Sequence, residues 1–254
     1  MCRAPTSDTP SPVGNRRGVD PTVLISVHVP KTGGISILDL LKDGYEQRLL
    51  LDYDDRPMTY PAVARVARAV RHWPGSTRRL SGYDCVHGHF LPLKYRWVPE
   101  ASYAIWFRDP VEAAISRYFF LKRYLKPDDP QFRRYIKRAD LSLEEFVSLS
   151  HFHNLYAKYL VGMRLSRFDF IGITENYEAS IEVFRRMFLP DVQHAPTQKN
   201  ANPDKPGARY EIAETLREQV RRFNWRDQAI YERALARNAE LVASWLGADR
   251  PAIA

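Results

Sequence analysis

The chain has 254 residues, 44% of them hydrophobic, with a mean hydropathy of −0.43. That suits one large α/β domain or two small ones with a substantial core, and no run of about 18 apolar residues exists to cross a membrane. Thirty-eight Lys and Arg against 30 Asp and Glu give a net charge of +8, which admits nucleic acid, an anionic membrane surface or phosphorylated small molecules as partners and says nothing of fold. Residues 1–20 are polar, rich in Pro and Ser, and lack the apolar core of a signal peptide. They are expected to form a disordered leader before a single domain over 21–254. Cys2 and Cys85 are the only cysteines; no disulfide framework follows, and a cytoplasmic location is expected.

In chain order, a β-branched run over Thr22–Val29 predicts a strand, and Ile35–Lys42 a helix. "YEQRLLLDYDD" holds a short second strand. Pro61 opens a helix with Val63, Val66 and Val70 at helical spacing. "DCVHGHF" and "SYAIWF" read as buried strands. Asp109 then caps a helix with Pro110 at its first position and Glu112 closing a capping box; the helix runs to about Tyr124. Ser142 and Glu145 repeat the device. "FDFIGIT" is a strand and "YEASIEVFRRMF" a helix, and two helices end the chain, where Leu216, Val220 and Phe223 at helical spacing mark core or an oligomer contact. Strands alternating with helices predict a mostly parallel sheet covered on both faces, a P-loop-like three-layer α/β sandwich. Ligands in such folds sit at the carboxyl ends of strands.

The stretch "HVPKTGGIS" lies at the first of those ends. Gly33 and Gly34 allow backbone geometry closed to other residues. The amides that follow open a helix, so N–H groups and the positive end of its dipole converge on one point. Lys31 adds a mobile cation, and Thr32 and Ser36 add hydroxyls. The result is an anion cradle. It is not the common triphosphate loop, in which lysine follows the glycines and a Ser or Thr after it holds magnesium. At another strand end, "FRDPVEAAISRYFF" offers Arg108 and, two turns into a helix, Ser116, a second phosphate clamp. Two clamps at two strand ends imply a ligand with phosphates at both ends.

These motifs together resemble the carbohydrate sulfotransferases of the heparan-sulfate 2-O type and their bacterial relatives. The similarity continues through "VHGHF", "HNLYAKYLVG", "FIGITENYEASIEVFRRMF" and "QKNANPDKP" and covers about Val23 to Pro206. The resemblance implies transfer of a sulfonate from 3′-phosphoadenosine 5′-phosphosulfate to a hydroxyl of a glycan or other small acceptor, with no metal. It places the 5′-phosphosulfate on Lys31, Thr32, Gly33, Gly34, Ile35 and Ser36, and the 3′-phosphate on Arg108 and Ser116. Lys199 and Asn200 are further donor contacts. The second histidine of "HGH", His89, is the implied general base, and His87 lies near the acceptor. Two positions depart from the family: Ile35 replaces the usual threonine, and His28 stands where the heparan 2-O enzymes carry an arginine. A histidine there occurs in the wider family, so the acceptor's chemistry stays open.

The residues alone support part of this. Period-two alternation puts Cys85, His87 and His89 on one strand face, and neutral imidazole suits removal of a hydroxyl proton near pH 7. The same three side chains, with His151 and His153 repeating the spacing, also form a metal-ligand pattern suited to zinc. "LKRYLKPDDPQFRRYIKR", with seven Lys and Arg against two Asp and with Tyr118 before it, is a candidate surface for an anionic or glycan acceptor. A homo-oligomer is compatible with the apolar C-terminal face; no nucleic-acid partner is expected. Two other readings remain open: a nucleotide kinase using the glycine loop, and a non-catalytic polyanion- or nucleotide-binding protein.

Overall fold

The computed structural model describes residues 23–53, 55, 57–124, 141–193 and 209–247. Five strands form one sheet: β1 (Leu24–Val27), β2 (Leu49–Leu51), β3 (Cys85–Gly88), β4 (Ser102–Phe107) and β5 (Phe170–Ile173). Their order is β2-β3-β1-β4-β5, and every pairing is parallel. The helices are α1 (Gly34–Tyr45), α2 (Ala62–Val70), α3 (Ser76–Arg79), α4 (Pro110–Tyr124), α5 (Leu143–Val147), α6 (Leu155–Tyr159), α7 (Tyr177–Phe188), α8 (Glu214–Phe223) and α9 (Trp225–Leu246). This is the expected P-loop-like α/β sandwich.

Alternation along the strands divides the core into two layers. Ile25, Val27, Val86, Tyr103, Ile105, Phe107, Ile171 and Ile173 point one way, into a cluster completed by α6 and by Ile230, Tyr231 and Ala234 of α9. Leu24, Cys85, Ala104, Trp106 and Phe170 point the other way, against Ile37, Leu40 and Leu41 of α1 and Ile181, Val183 and Phe184 of α7. Leu241, Val242 and Leu246 pack on this second layer, so α9 closes over the β5 side and leaves no long bare edge there. A satellite cluster joins α4, α5 and α8, with Leu216 and Val220 inside it; those two positions are core. Phe223 stacks on His153 at 4.5 Å.

In the helix from Pro61, Val66 and Val70 pack against the core as their spacing predicts, but Val63 does not. Val63 is 83% exposed, whereas Arg65 and Ala69 are buried. Arg65 turns that face inward because its guanidinium donates to the carbonyls of Pro57 and Tyr60. At α4, Asp109 Oδ1 accepts from the amides of Val111 and Glu112, as a cap should. The expected reciprocal bond does not come from Glu112. That carboxylate pairs with Arg217 at 3.0 Å and takes the Tyr210 amide, while Glu175 accepts from the Asp109 amide. The Ser142–Glu145 capping box forms in both directions.

Candidate active site at the carboxyl ends of three strands

The ends of β3, β1 and β4 are neighbours in the sheet, and the chain leaves them with His89, Lys31 and Arg108 respectively. The loop after β1 is held before any ligand arrives. Thr32 is fully buried and donates its hydroxyl to the Val29 carbonyl at 2.8 Å. Its proton is therefore used inside the loop, and the backbone is what it can offer an anion. Lys31 has φ of 74° and Gly33 φ of 89°. The second is easy for glycine; the first stores strain in a lysine. Gly33 caps α1 with no side-chain bond to the first-turn amides, and no acidic residue stands in that turn. Ser36 is buried in the same turn beside Tyr177. The Ile35 side chain lies outside the described residues, as do Lys199, Asn200, the leader and residues 125–140 of the basic stretch.

Lys31 Nζ sits 4.4 Å over the Phe120 ring of α4, a cation–π contact that parks the ammonium. Burial first, then the charges of Arg108, Arg117 and Arg123, lower its pKa to about 8. Four cations thus share one region. Arg108 reaches Glu112 only at 3.9 Å, a carboxylate already engaged by Arg217, so its guanidinium keeps donors for a ligand. Ser116 is buried two turns along α4. Tyr118 does not join this group: it packs among Phe119 and Phe146, and its hydroxyl donates to the Leu141 carbonyl.

Three imidazoles gather at the ends of β1 and β3. His28 lies 5.2 Å from His87 and 4.4 Å from His89, ring to ring. Cys85 stays in the core below; the strand ends at Gly88, and the rings of His87 and His89 both stand against His28 and Tyr53. His89 Nδ1 is 2.7 Å from the His28 carbonyl oxygen. A carbonyl only accepts, so Nδ1 carries the proton and Nε2 keeps its lone pair. Burial lowers the His89 pKa and so favours this neutral form. His87 is 1% exposed; its Nδ1 meets Ser26 Oγ at 2.9 Å, and burial together with His89 lowers its pKa to about 3. His28 is held well below its ordinary value by burial, then by His89, His87 and Lys31, and its Nδ1 meets the Tyr53 hydroxyl at 3.1 Å.

Gly88 lets this arrangement close. A Cβ there would stand 2.0 Å from the Asp52 carbonyl oxygen. Asp52 in turn bonds the His87 carbonyl through its amide and takes Lys94 and Tyr95, each at 2.7 Å, on its buried carboxylate. Among the described residues no group of three or more His, Cys, Asp or Glu can hold a metal ion. Burial raises the Cys85 pKa, which keeps a thiol rather than a thiolate. His153 Nε2 is taken by the Val147 carbonyl.

Sequence reasoning missed the residues that tie the strand ends together. The Thr174 hydroxyl donates to the carbonyls of both Thr32 and Phe107. Glu175 accepts from the Asp109 amide and from the Tyr231 hydroxyl. Tyr53 and Phe120 were also missed, and they carried no signal beyond being aromatic residues beside a strand end and on a helix. Among the described residues, no helix is long and apolar enough to cross a membrane.

No protein-family model matches the chain, and no curated protein sequence matches it. Among solved structures, it is similar to a sulfotransferase from Alicyclobacillus acidocaldarius, at 15% identity and a TM-score of 0.45, over 88% of this chain and 96% of that one.

Proposed function

We propose that the chain is a sulfotransferase that moves a sulfonate from 3′-phosphoadenosine 5′-phosphosulfate to an acceptor hydroxyl. The observation that carries this reading is the His89–His28 carbonyl bond, which leaves a neutral Nε2 with its lone pair one strand away from the Lys31 loop. A base and a cation at adjacent strand ends fit a transfer that removes a proton on one side and meets growing negative charge on the other.

The uncapped α1 amides, Gly33 and Lys31 suit a phosphosulfate, and Arg108 with Ser116 suits a 3′-phosphate. His89 Nε2 takes the acceptor proton as the acceptor oxygen forms its bond to sulfur. The bond from sulfur to the bridging oxygen breaks, and its electron pair stays on the 5′-phosphate. Lys31 leaves Phe120 to neutralise that oxygen as charge develops. The products are the sulfated acceptor and adenosine 3′,5′-bisphosphate. His28 and His87 stay neutral; His28 lines the acceptor side, and the more deeply buried His87 braces it.

The test is transfer of label from the sulfonate of the donor to a panel of glycan, lipid and phenolic hydroxyls. Labelled product with stoichiometric bisphosphate is expected. Consumption of ATP in the presence of magnesium, with the phosphosulfate untouched, supports the kinase instead.

A further inference from the structure

Arg108 stands between β4 and α4 and belongs to neither element. Its neighbours are held from the end of β5: the Thr174 hydroxyl donates to the Phe107 carbonyl at 3.0 Å, and Glu175 takes the Asp109 amide at 3.0 Å. Its own peptide groups both go to one side chain. The Arg108 amide donates to the Tyr156 hydroxyl at 3.2 Å, and that hydroxyl donates to the Arg108 carbonyl at 2.6 Å. The phenol is 1% exposed, and burial holds its pKa well above the ordinary value, so it keeps the proton that the second bond needs.

Tyr156 is itself held from a distance. A five-residue helix has too few bonds to stand alone, and α6 takes its seat from α9. Asp227 accepts the amides of Tyr156 and Ala157 at 2.9 and 3.0 Å. Asn154, just ahead of them, exchanges bonds with Phe223, Asn224 and Arg226. On its other side the Tyr156 ring meets Phe107 edge to face at 5.0 Å. The tyrosine therefore transmits the position of α9 and α6 to the Arg108 peptide. A turn of that peptide swings the guanidinium at the end of a long side chain, and misplacement by about 1 Å can cost on the order of a hundredfold.

We infer that Tyr156, seated by Asp227, is a positioning residue that aims the Arg108 guanidinium at the 3′-phosphate of the nucleotide. This rests on the transferase reading and adds to it a residue that acts through another. The experiment titrates adenosine 3′,5′-bisphosphate and 5′-AMP by calorimetry into wild type, Tyr156→Phe, Arg108→Ala and the double variant. Tyr156→Phe keeps the ring and loses both bonds to Arg108. It should weaken bisphosphate binding about tenfold, on the scale of one charge-assisted contact, and leave 5′-AMP binding within about twofold. In the Arg108→Ala background the same change should cost nothing further, because the two residues act as one unit. A tyrosine that only fills the core would lower the melting temperature and leave the ratio of the two affinities unchanged, and that result overturns the proposal. So does a loss that adds in full to that of Arg108→Ala. If Tyr156→Phe fails to fold, Asp227→Asn takes its place: the same ratio should fall, and an unchanged ratio overturns the proposal. If wild type binds the two nucleotides equally, the donor reading fails and this inference falls with it, whereas discrimination kept by wild type and Tyr156→Phe alike sinks the inference alone.

Discussion

At the end of β3 the imidazoles are fastened by bonds within the protein, whereas along α4 the cations are left with few. His89, His87 and His28 each have Nδ1 engaged, by a carbonyl, a serine and a tyrosine, and burial holds all three neutral. Arg108 reaches its carboxylate only at 3.9 Å, and Lys31 rests on an aromatic face. On the proposed reading, the difference follows from two tasks. A base works only in one tautomer and one protonation state, so its hydrogen bonds are best supplied by the fold. A cation that must grip a ligand loses by every bond the fold makes to it.

Breaking the fastened half should have the largest effect. His89→Ala should lower turnover by about two to four orders of magnitude, the usual yield of a general base, with bisphosphate binding unchanged. In wild type the rate should hold as pH falls through 6.5, because burial lowers the His89 pKa, and drop only below that. If His89→Ala keeps near-normal turnover, His28 or His87 becomes the candidate base.

On the open half, Lys31→Ala and Arg108→Ala should fail differently. Lys31 meets charge that grows in the transition state, so its loss should act mainly on turnover. The 3′-phosphate keeps its charge throughout, so losing Arg108 should act mainly on affinity, by about tenfold to a hundredfold for a charge-assisted contact. Steady-state kinetics and calorimetry on both variants separate the two. Equal losses in both parameters for both residues would merge the clamps into one.

A further effect sharpens the contrast through acid stability. In the unfolded chain these histidines take up protons below about pH 6.5, while burial keeps them neutral in the fold. The unfolded state then binds more protons, so stability is fully present above that pH and is lost as pH falls, down to about 3 for His87. Each histidine contributes up to about 1.4 kcal/mol per pH unit within its window. Denaturant midpoints between pH 7 and 4 should fall in wild type and fall less in His87→Gln. Equal slopes would mean that His87 is not held neutral.

Local rules made most of the architecture readable. "SYAIWF" and "YEASIEVFRRMF" coincide with β4 and α7, because a buried parallel strand and an amphipathic helix each announce themselves by period. Val66 and Val70 pack as their spacing predicts, and only Val63 misled, because period is blind to an arginine whose guanidinium is satisfied by nearby carbonyls. Glu112 misled likewise: a partner 105 residues away outcompeted the local cap. In the proposed site, the placement of Lys31, His89 and Arg108 at neighbouring strand ends was legible from motif. The placement of Thr174 was not, since the bond that matters to it spans 142 residues. Nor could the sequence show that the Tyr118 hydroxyl is bonded to the Leu141 carbonyl.

The central claim is that this cleft was shaped for a nucleotide with phosphates at both ends. Calorimetric titration of the wild-type protein with adenosine 3′,5′-bisphosphate, 5′-AMP and ATP with magnesium tests it most directly. The account predicts saturable binding of the bisphosphate at least tenfold tighter than 5′-AMP, with no requirement for magnesium. Equal affinity for 5′-AMP, or tighter binding of ATP with magnesium, would contradict it.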